Sequence, residues 1–252
     1  MKSFILMLQF LTRIPINIKI DIDEKSFKDS MVYFPLVGLI IGTLNALVFL
    51  CFSLIFSNLI AIIFVTLFNV CLTGAFHLDG LTDTCDGIYS SRKKERMLEI
   101  MRDSRIGTNG AVAIFFDLSL RITLLNSISN NNYNLIKAII ISSILSKTVL
   151  VLLSYISTYA RKDGGLGNLF IGKIALKTMV IAMIMGILLT SFLLGVKSLY
   201  IVIPILLLMV LYEKYIESKI DGMTGDTLGA ASEITEILVY CIFIILQRYM
   251  LL

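Results

Sequence analysis

Long apolar runs and short polar connections alternate along the whole chain. Most of the runs approach the roughly 20 residues that an α-helix needs to cross a bilayer. The connections contain glycine and asparagine, which are typical of turns. The pattern therefore predicts an all-α fold, a polytopic membrane bundle of about seven transmembrane helices. The predicted spans are residues 32–52, 59–75, 111–128, 135–156, 174–194, 199–212 and 237 to the end of the chain.

The composition agrees with a membrane protein. Of the 252 residues, 57% are hydrophobic and 16% are charged, whereas soluble domains have about 45–50% apolar and about 25% charged residues. The opening segment MKSFILMLQFLTRIPI has the look of a signal peptide, but Gln9 and Arg13 interrupt its apolar run and no small-residue cleavage site follows. We expect it to form an N-terminal amphipathic helix that stays at the membrane surface, within one integral-membrane domain over residues 1–252.

The basic residues indicate which way the bundle faces. Connections on one side carry seventeen of the 22 Lys and Arg residues, and those on the other side carry only Lys137 and Lys197. Because Lys and Arg accumulate on the cytoplasmic side of membrane proteins, we expect the N-terminus and three polar connections on that side. These connections are residues 74–110, 157–177 and 213–235.

The connection from residue 74 to 110 contains three aspartates on one helix face. Asp79, Asp83 and Asp86 stand at i, i+4 and i+7, within an arc of roughly 60°. Like charges repel each other, so we expect a divalent cation among them, with Mg²⁺ or Mn²⁺ favoured over zinc by oxygen ligands. Gly80 and Gly87 lie near this face and would let a ligand or another backbone approach closely. The alternative is a solvated acidic helix end.

Two arginines follow in the segment RDSRIGTNG. Arg102 and Arg105 precede a glycine turn and the start of the next span, a combination typical of a phosphate clamp. Asp103 is expected either to orient an arginine or to join the metal site. Arg161 likewise precedes a glycine turn, GGLG, in the connection after the fourth span.

Several other polar residues have two interpretations. His77, the only histidine, is either a functional residue or a hydrogen-bonded structural one. Asp226 either caps a helix or, with Glu233, completes the acidic site. Asp117 and Arg121 stand at i, i+4 inside a span, where isolated charges are costly. We expect these two to form an internal ion pair.

The motifs together resemble one family. HLDGLTDTCDG at 77–87 and RDSRIGTNG at 102–110 are similar to the signature of the cobalamin synthase family, the membrane adenosylcobinamide-GDP ribazoletransferases. The resemblance covers the chain from end to end. It extends in order to LQFLTRIP at 8–15, FPLVGLIIG at 34–42, YAR and GLG within 159–167, and TGDTLGAASEITE at 224–236.

The resemblance implies a reaction and its partners. α-Ribazole or its 5′-phosphate would attack the phosphate of adenosylcobinamide-GDP, releasing GMP and giving adenosylcobalamin or its 5′-phosphate. This is the last step of nucleotide-loop assembly in cobalamin biosynthesis. The resemblance also implies an Mg²⁺ cofactor, the inner (cytoplasmic) membrane of a prokaryote as location, and no nucleic-acid partner. Association into homo-oligomers stays open.

For this chemistry the candidate residues divide into three groups. The predicted catalytic residues are Asp83, Asp86 and Asp103, with Asp83 as the expected base. The predicted metal ligands are Asp79, Asp83, Asp86, Asp226 and Glu233. The residues predicted to bind substrate or phosphate are Arg102, Arg105, His77 and Arg161.

Two other functions share features with this sequence. Asp83, Asp86 and Gly87 match the DxxDG opening of the CDP-alcohol phosphotransferases, but the later GxxxDxxxD of that family is missing from the sequence. A transporter or vitamin-uptake component would use intramembrane charges such as Asp117 and Arg121 to mark a solute path. Against transport, most carboxylates collect at one face of the predicted bundle.

Overall fold

The computed structural model describes residues 2–20, 23–129, 131–162, 164–249 and 251, and over these residues the fold is all-α, as predicted. Three 3-10 turns lie at Met31–Tyr33, Leu166–Leu169 and Gly195–Ser198. The α-helices are α1 (Lys2–Leu11), α2 (Glu24–Ser30), α3 (Phe34–Ser53), α4 (Asn58–Thr73), α5 (Phe76–Ile88), α6 (Lys94–Ile100), α7 (Thr108–Ile128), α8 (Asn132–Ile156), α9 (Leu176–Leu194), α10 (Leu199–Ile220) and α11 (Gly225–Arg248).

The chain is a multi-pass membrane protein whose helices α3, α4 and α7 to α11 correspond to the seven predicted spans. By length and composition, five helical segments of the described chain are able to cross a membrane, or six with the bent pair α4 and α5. The count of five is below seven because α4 passes only together with α5, and because α9 and α10 form one 45-residue helical segment, Leu176–Ile220. A straight helix of that length would be about 68 Å long, more than twice the hydrocarbon thickness. Gly195, with φ +60°, interrupts the segment.

Helix α8 is the centre of the bundle. It packs against α3, α9 and α11, and most of its residues are buried. Gly38 and Gly42 allow the close contact of α3, because a Cβ at Gly38 would lie 2.4 Å from the carbonyl oxygen of Ser143. Small residues at such contacts let membrane helices approach until their backbones touch. Buried apolar side chains from α1 through α11 form one connected core around α8.

Five charged side chains lie together inside the bundle, on α7, α8 and α11. We call Asp117, Arg121, Lys147, Glu233 and Glu236 the buried ionic cluster; each is at most 7% exposed. The Arg121 guanidinium binds both glutamates and lies 3.5 Å from Asp117, so the predicted internal ion pair is confirmed. The Lys147 ammonium lies 3.5 Å from Glu236. Two cations therefore face three carboxylates within the bundle, and Asp117 Oδ2 has no hydrogen-bond partner among the described residues.

Helix α11 begins at Gly225, whereas the sequence pattern placed the start of this span near residue 237. A capping box starts the helix: the Thr224 hydroxyl accepts from the Thr227 backbone N–H at 3.3 Å, and the Thr227 hydroxyl accepts from the Thr224 N–H at 2.9 Å. Small residues follow, and their low hydropathy made the first three turns look like a loop. Residues 250 and 252 of the predicted span lie outside the described residues.

The early start of α11 corrects the expected position of Glu233. Glu233 stands seven residues after Asp226 on the same helix, which places it roughly 10 Å deeper along the helix axis. Its carboxylate binds Arg121 inside the bundle. Glu233 is therefore part of the buried ionic cluster and does not join the acidic residues of α5, as the sequence prediction had it.

A sharp bend separates α4 from α5. The two helices differ in direction by 89°, because Gly74 and Ala75 both adopt left-handed backbone angles, with φ of 65° and 58°. The predicted N-terminal helix is present as α1, and Arg13 after it covers the bend: a Cβ at Gly74 would lie 2.3 Å from Arg13 Nε. α5 therefore turns away from the direction of α4 and packs against α11 and α7.

Candidate active site

The acidic site is built where α5 crosses the first turns of α11. The two helices touch at Gly80, where a Cβ would lie 2.7 Å from the Asp226 carbonyl oxygen, and at Gly229, whose Cβ would lie 3.3 Å from the Gly80 Cα. The prediction that Gly80 lets another backbone approach is confirmed. This contact brings Asp226 beside Asp79 and Asp83, two residues that the sequence separates from it by more than 140 positions.

Asp83 is the carboxylate most affected by this crowding. Partial burial, together with the negative charges of Asp79, Asp226 and Asp86, raises the pKa of Asp83 to about 7, although Arg161 opposes the rise. Within the described part of the chain, Asp79 and Asp83 make no side-chain hydrogen bond or ion pair. Uncompensated carboxylate oxygens at the end of a membrane bundle are suited to bind a cation.

Both oxygens of the Asp86 carboxylate accept hydrogen bonds within the protein. Its carboxylate oxygens accept hydrogen bonds from the backbone N–H groups of Gly107, at 2.7 Å, and Gly110, at 2.9 Å. A Cβ at either glycine would lie within 2.5 Å of the same carboxylate. Gly107 is the N-cap of α7, so Asp86 satisfies two of the free donors of that helix start and interacts favourably with its dipole.

The contacts of Asp86 bear on two expectations. The start of α7 was predicted to help bind a phosphate, and the Asp86 carboxylate accepts from two of its backbone donors, those of Gly107 and Gly110. For the same reason both of its oxygens have partners, unlike those of Asp79 and Asp83. The contribution of Asp86 in this geometry is to fix the start of α7 against α5.

Asp103 and Arg105 bind each other at the edge of the site. Arg105 Nη2 lies 2.6 Å from Asp103 Oδ2, and the arginine side chain is 87% exposed. Hydrogen bonds from Arg105 hold the pKa of Asp103 at about 2, well below its usual range. Of the two alternatives for Asp103, the structure therefore shows the one in which it orients an arginine.

Two open clefts flank the acidic face. One, of about 430 Å³, is lined by Asp79, Asp83 and Arg102, together with the Asp103–Arg105 pair. The other, of about 420 Å³, which we call the basic cleft, is lined by four basic residues and three acidic ones: Lys94, Arg102, Arg161 and Lys162, with Glu95, Glu99 and Asp221. Arg102 belongs to both clefts. A ligand carrying more than one phosphate is thus able to contact cations on one side and the carboxylates on the other.

Arg161 reaches the acidic site through Asp226. Its Nη2 donates to Asp226 Oδ2 at 2.7 Å, and the Thr224 hydroxyl donates to the same oxygen at 3.2 Å. Asp226 Oδ1 has no partner among the described residues. Thr224 is the residue that caps α11, so Asp226 has one oxygen in a structural contact and one available for a ligand.

His77 lies on the inner side of α5. It is 2% exposed, and neither of its ring nitrogens has a hydrogen-bond partner among the described residues. Burial, reinforced by the charge of Lys147, lowers its pKa well below the usual value, so the imidazole is neutral. The structural interpretation of His77 required a hydrogen-bonded ring, and that is not what the described residues provide.

The carboxylates suit Mg²⁺ as part of a site that the substrate completes. Among the described residues, no group of three or more His, Cys, Asp and Glu side chains is placed to hold a metal ion by itself. Mg²⁺ is commonly held by one or two carboxylates, with water and substrate phosphates supplying the remaining ligands. Asp79 and Asp226 line one cavity, and each has at least one oxygen without a described partner, so they fit this arrangement.

Two residues of the site were missed at the sequence level. Tyr159 lines the cavity that contains Asp79 and Asp226, and its hydroxyl donates to the Gly164 carbonyl oxygen at 2.9 Å. Lys94 lines the basic cleft. The YAR motif was a signal for Tyr159, whereas Lys94 stands in a run of basic residues, RKKER, that does not distinguish it from its neighbours.

Comparison with known proteins gives consistent matches. Residues 3–244 match the profile of the family described as cobalamin-5-phosphate synthase. Three similar relatives are each named adenosylcobinamide-GDP ribazoletransferase. The relative from Clostridium novyi (strain NT) is 54% identical over 94% of both chains. The one from Clostridioides difficile (strain 630) is 44% identical over 99% of both. That from Thermoanaerobacter pseudethanolicus is 40% identical over 96% of this chain and 97% of the relative. No solved structure matches the chain.

Proposed function

The chain belongs to the cobalamin-5-phosphate synthase family, and we propose that it is an adenosylcobinamide-GDP ribazoletransferase acting in the final step of cobalamin synthesis. One observation carries this proposal beyond family membership. The carboxylates Asp79 and Asp83, which have no described partners, lie in a cleft beside the basic cleft of Arg102 and Arg161. Phosphoryl transfer needs this combination, because negative charge must be neutralised while a hydroxyl group is deprotonated.

The proposed reaction replaces the phosphoanhydride bond of the diphosphate by a phosphodiester bond. A ribose hydroxyl of α-ribazole, or of its 5′-phosphate, attacks the phosphorus that is bonded to the cobinamide in adenosylcobinamide-GDP. A new P–O bond forms to the ribazole, and the P–O bond to the GMP oxygen breaks. GMP leaves with that electron pair, and the hydroxyl proton passes to a base of the protein. The product is adenosylcobalamin or its 5′-phosphate.

Asp83 is the residue proposed to accept this proton. A general base is most effective when its pKa lies near the working pH, and its surroundings raise the pKa of Asp83 to about 7. Its side chain lines the open cleft. Asp79 and Asp226 would hold Mg²⁺, which when bound would neutralise charge on the transferred phosphate.

The arginines are proposed to bind the diphosphate. Arg102 lies between the two clefts and Arg161 reaches both the basic cleft and Asp226. Guanidinium groups bind phosphate oxygens through two parallel hydrogen bonds. Arg105 is held by Asp103 at the exposed edge, where it is able to attract an anionic substrate.

The active face is proposed to be cytoplasmic, in the inner membrane of a prokaryote. The support is the excess of Lys and Arg in the connections that build the site. α5 also lies across the end of the bundle, which leaves its outer face accessible from water. A nucleotide-activated substrate would reach the acidic residues from that side.

GMP release by the purified chain in detergent tests this function. With adenosylcobinamide-GDP, α-ribazole and Mg²⁺, the wild type is expected to release GMP, and chelation of Mg²⁺ is expected to stop the release. Asp83→Asn should lower turnover by about 10³-fold, within the range of general-base effects. Asp29→Asn is a matched control, since Asp29 is exposed and lines neither of the two clefts. Near-normal turnover of Asp83→Asn would remove Asp83 as the base.

A further inference from the structure

The basic cleft also contains groups that do not bind phosphate. It is open and has a volume of about 420 Å³, within the range of about 300–1,000 Å³ that is usual for ligand pockets. Three carboxylates and the partly buried side chain of Leu98 line it together with the four cations. Phosphates require the cations alone, so the carboxylates and Leu98 are available to contact another part of the substrate.

The order of groups along the substrate places the leaving nucleotide in this cleft. In the proposed reaction, the phosphate that is attacked lies beside Asp83, in the other cleft. The GMP phosphate follows it along the diphosphate, and Arg102 lines both clefts. Negative charge develops on GMP as it leaves, and Arg161 and Lys162 of the basic cleft are suited to stabilise that charge. The guanosine would therefore extend from Arg102 into the basic cleft.

One of the three carboxylates in the basic cleft has no partner in the described part of the chain. Asp221 lies 3.0 Å from the Lys94 ammonium, and Glu99 lies 2.7 Å from Arg96 Nη1. Glu95 makes no side-chain hydrogen bond or ion pair with any described residue. Its carboxylate is therefore the one that is free to accept hydrogen bonds from a ligand.

Guanine matches a free carboxylate beside an apolar surface. Its N1–H and its N2 amino group are adjacent donors, and the two oxygens of one carboxylate are able to accept from both in parallel bonds. Adenine has an acceptor at N1, which a carboxylate would repel. Leu98 stands three residues after Glu95 and so lies on the same face of α6. A base that lies over Leu98 therefore has Glu95 within reach of its edge.

We propose that Glu95 selects guanine in the leaving nucleotide, its carboxylate accepting from N1–H and from the N2 amino group while the base lies over Leu98. This inference rests on the proposed function, because it assigns a specificity-determining residue to that reaction. Glu95 also stands in the first turn of α6, where any carboxylate favours the start of a helix. The measurement that separates the two roles is base preference, which a contribution to helix stability alone would not change.

Removing one donor from the base gives a kinetic test. The inosine analogue of the substrate, adenosylcobinamide-IDP, keeps N1–H but lacks the N2 amino group. The wild type is expected to show a KM about tenfold lower for the GDP substrate than for the IDP substrate, the lower end of the value of one hydrogen bond to a charged group. Glu95→Ala should remove this preference, and Glu95→Asp, which keeps a carboxylate, should retain part of it. An undiminished preference in Glu95→Ala, or none in the wild type, would overturn the inference.

Two other alanine variants are matched controls. Glu99→Ala removes a carboxylate that lines the same cleft but is already paired with Arg96. Glu217→Ala removes an exposed carboxylate of α10 that does not line the cleft. Both variants are expected to keep the preference for the GDP substrate. Loss of the preference in Glu99→Ala, with Glu95→Ala like the wild type, would contradict the assignment to Glu95.

Direct binding separates failure of this inference from failure of the proposed function. GMP and IMP are the probes, and isothermal titration calorimetry on the full chain in detergent with Mg²⁺ is the measurement. Tighter binding of GMP than of IMP by the wild type, with the difference lost in Glu95→Ala, supports the assignment even if no GMP is released from adenosylcobinamide-GDP. Equal affinities of the wild type for GMP and IMP count against the assignment, whereas GMP release in the same preparation would leave the proposed function standing.

Discussion

The buried ionic cluster and the acidic face of α5 use the same kinds of side chain for different ends. In the cluster, the carboxylates of Glu233 and Glu236 are both bound by Arg121 at the centre of the bundle. On α5, Asp79 and Asp83 have no such partners among the described residues. The glutamates of the first arrangement have a cation within the protein, whereas Asp79 and Asp83 are suited to bind a cation from outside it.

This difference separates structural charges from functional ones. Charges in a low-dielectric bundle that compensate one another contribute to the packing of helices, and removing one leaves the others unpaired. Carboxylates left close together without a counter-charge reduce stability, which is typical of active sites. The pairing within the buried ionic cluster also gives no support to a solute path through the bundle. The following predictions test this separation.

The largest effect on stability is expected for Arg121→Met. The change removes the cation that holds Glu233 and Glu236 together and leaves three buried carboxylates with only Lys147 nearby. Breaking a buried ion pair typically costs about 3–5 kcal/mol. The measurement is the thermal unfolding midpoint in detergent, and Arg248→Met is the control at an exposed position of α11. Similar midpoints for the two variants would contradict the structural role of the cluster.

A smaller loss of stability is expected for Asp86→Ala. This change removes two hydrogen bonds from a carboxylate to the start of α7, and the loss of a helix cap usually costs about 1–2 kcal/mol. Asp86→Asn should cost less, because it keeps one acceptor oxygen. Thermal midpoints of both variants, compared with Asp29→Ala at an exposed site, measure the effect. A midpoint for Asp86→Ala that equals that of Asp29→Ala would show that the cap is dispensable.

The smallest expected change in the free energy of unfolding is an increase, for Asp83→Asn. The pKa of Asp83 is raised to about 7 in the folded chain, so the folded state binds this proton more tightly than the unfolded state does. Its contribution to stability is present at low pH and is lost as the pH rises through about 7. In EDTA at pH 8, Asp83→Asn should therefore be more stable than the wild type by about 1 kcal/mol, a figure reduced for the exposure of the group.

The pH dependence checks this last prediction. The difference in unfolding midpoint between Asp83→Asn and the wild type should shrink as the pH falls from 8 toward 4.5. Added Mg²⁺ should stabilise the wild type at pH 8 and thereby reduce or reverse the difference. A wild type that is more stable than Asp83→Asn at pH 8 without metal would mean that Asp83 is compensated by a contact within the protein.

The sequence predicted those features of the fold that depend on local pattern. Hydropathy located α3, α4 and α7 to α9 closely, because a membrane helix must be apolar along its length. It placed the start of α10 correctly but not its end, since α10 continues through the polar residues 213–220 that were predicted to lie in a connection. The helical spacing correctly placed Asp79 and Asp83 on a common cleft. The pair of Asp117 and Arg121 was accessible for the same reason, since i and i+4 are neighbours on any helix.

Features that depend on distant contacts were not predictable in this way. Nothing local distinguishes Glu233, which binds an arginine 112 residues away, from Asp226, which remains near the surface. The start of α11 was hidden because its small residues pack against α5, and that contact is tertiary. Asp86 had the spacing of a metal ligand, yet its carboxylate accepts a hydrogen bond from the N-cap residue of α7, Gly107, which lies 21 residues later in the chain.

The contact at Gly80 has a consequence for protein engineering. Half of the acidic site stands on a helix along the membrane face and the other half on the end of a membrane-crossing helix, and only hydrogen atoms at residue 80 separate their backbones. A methyl group there, in Gly80→Ala, would act as a wedge that moves Asp79 away from Asp226 without altering any charged group. Turnover and Mg²⁺ affinity measured on this variant would report how finely the spacing between the two helices is set.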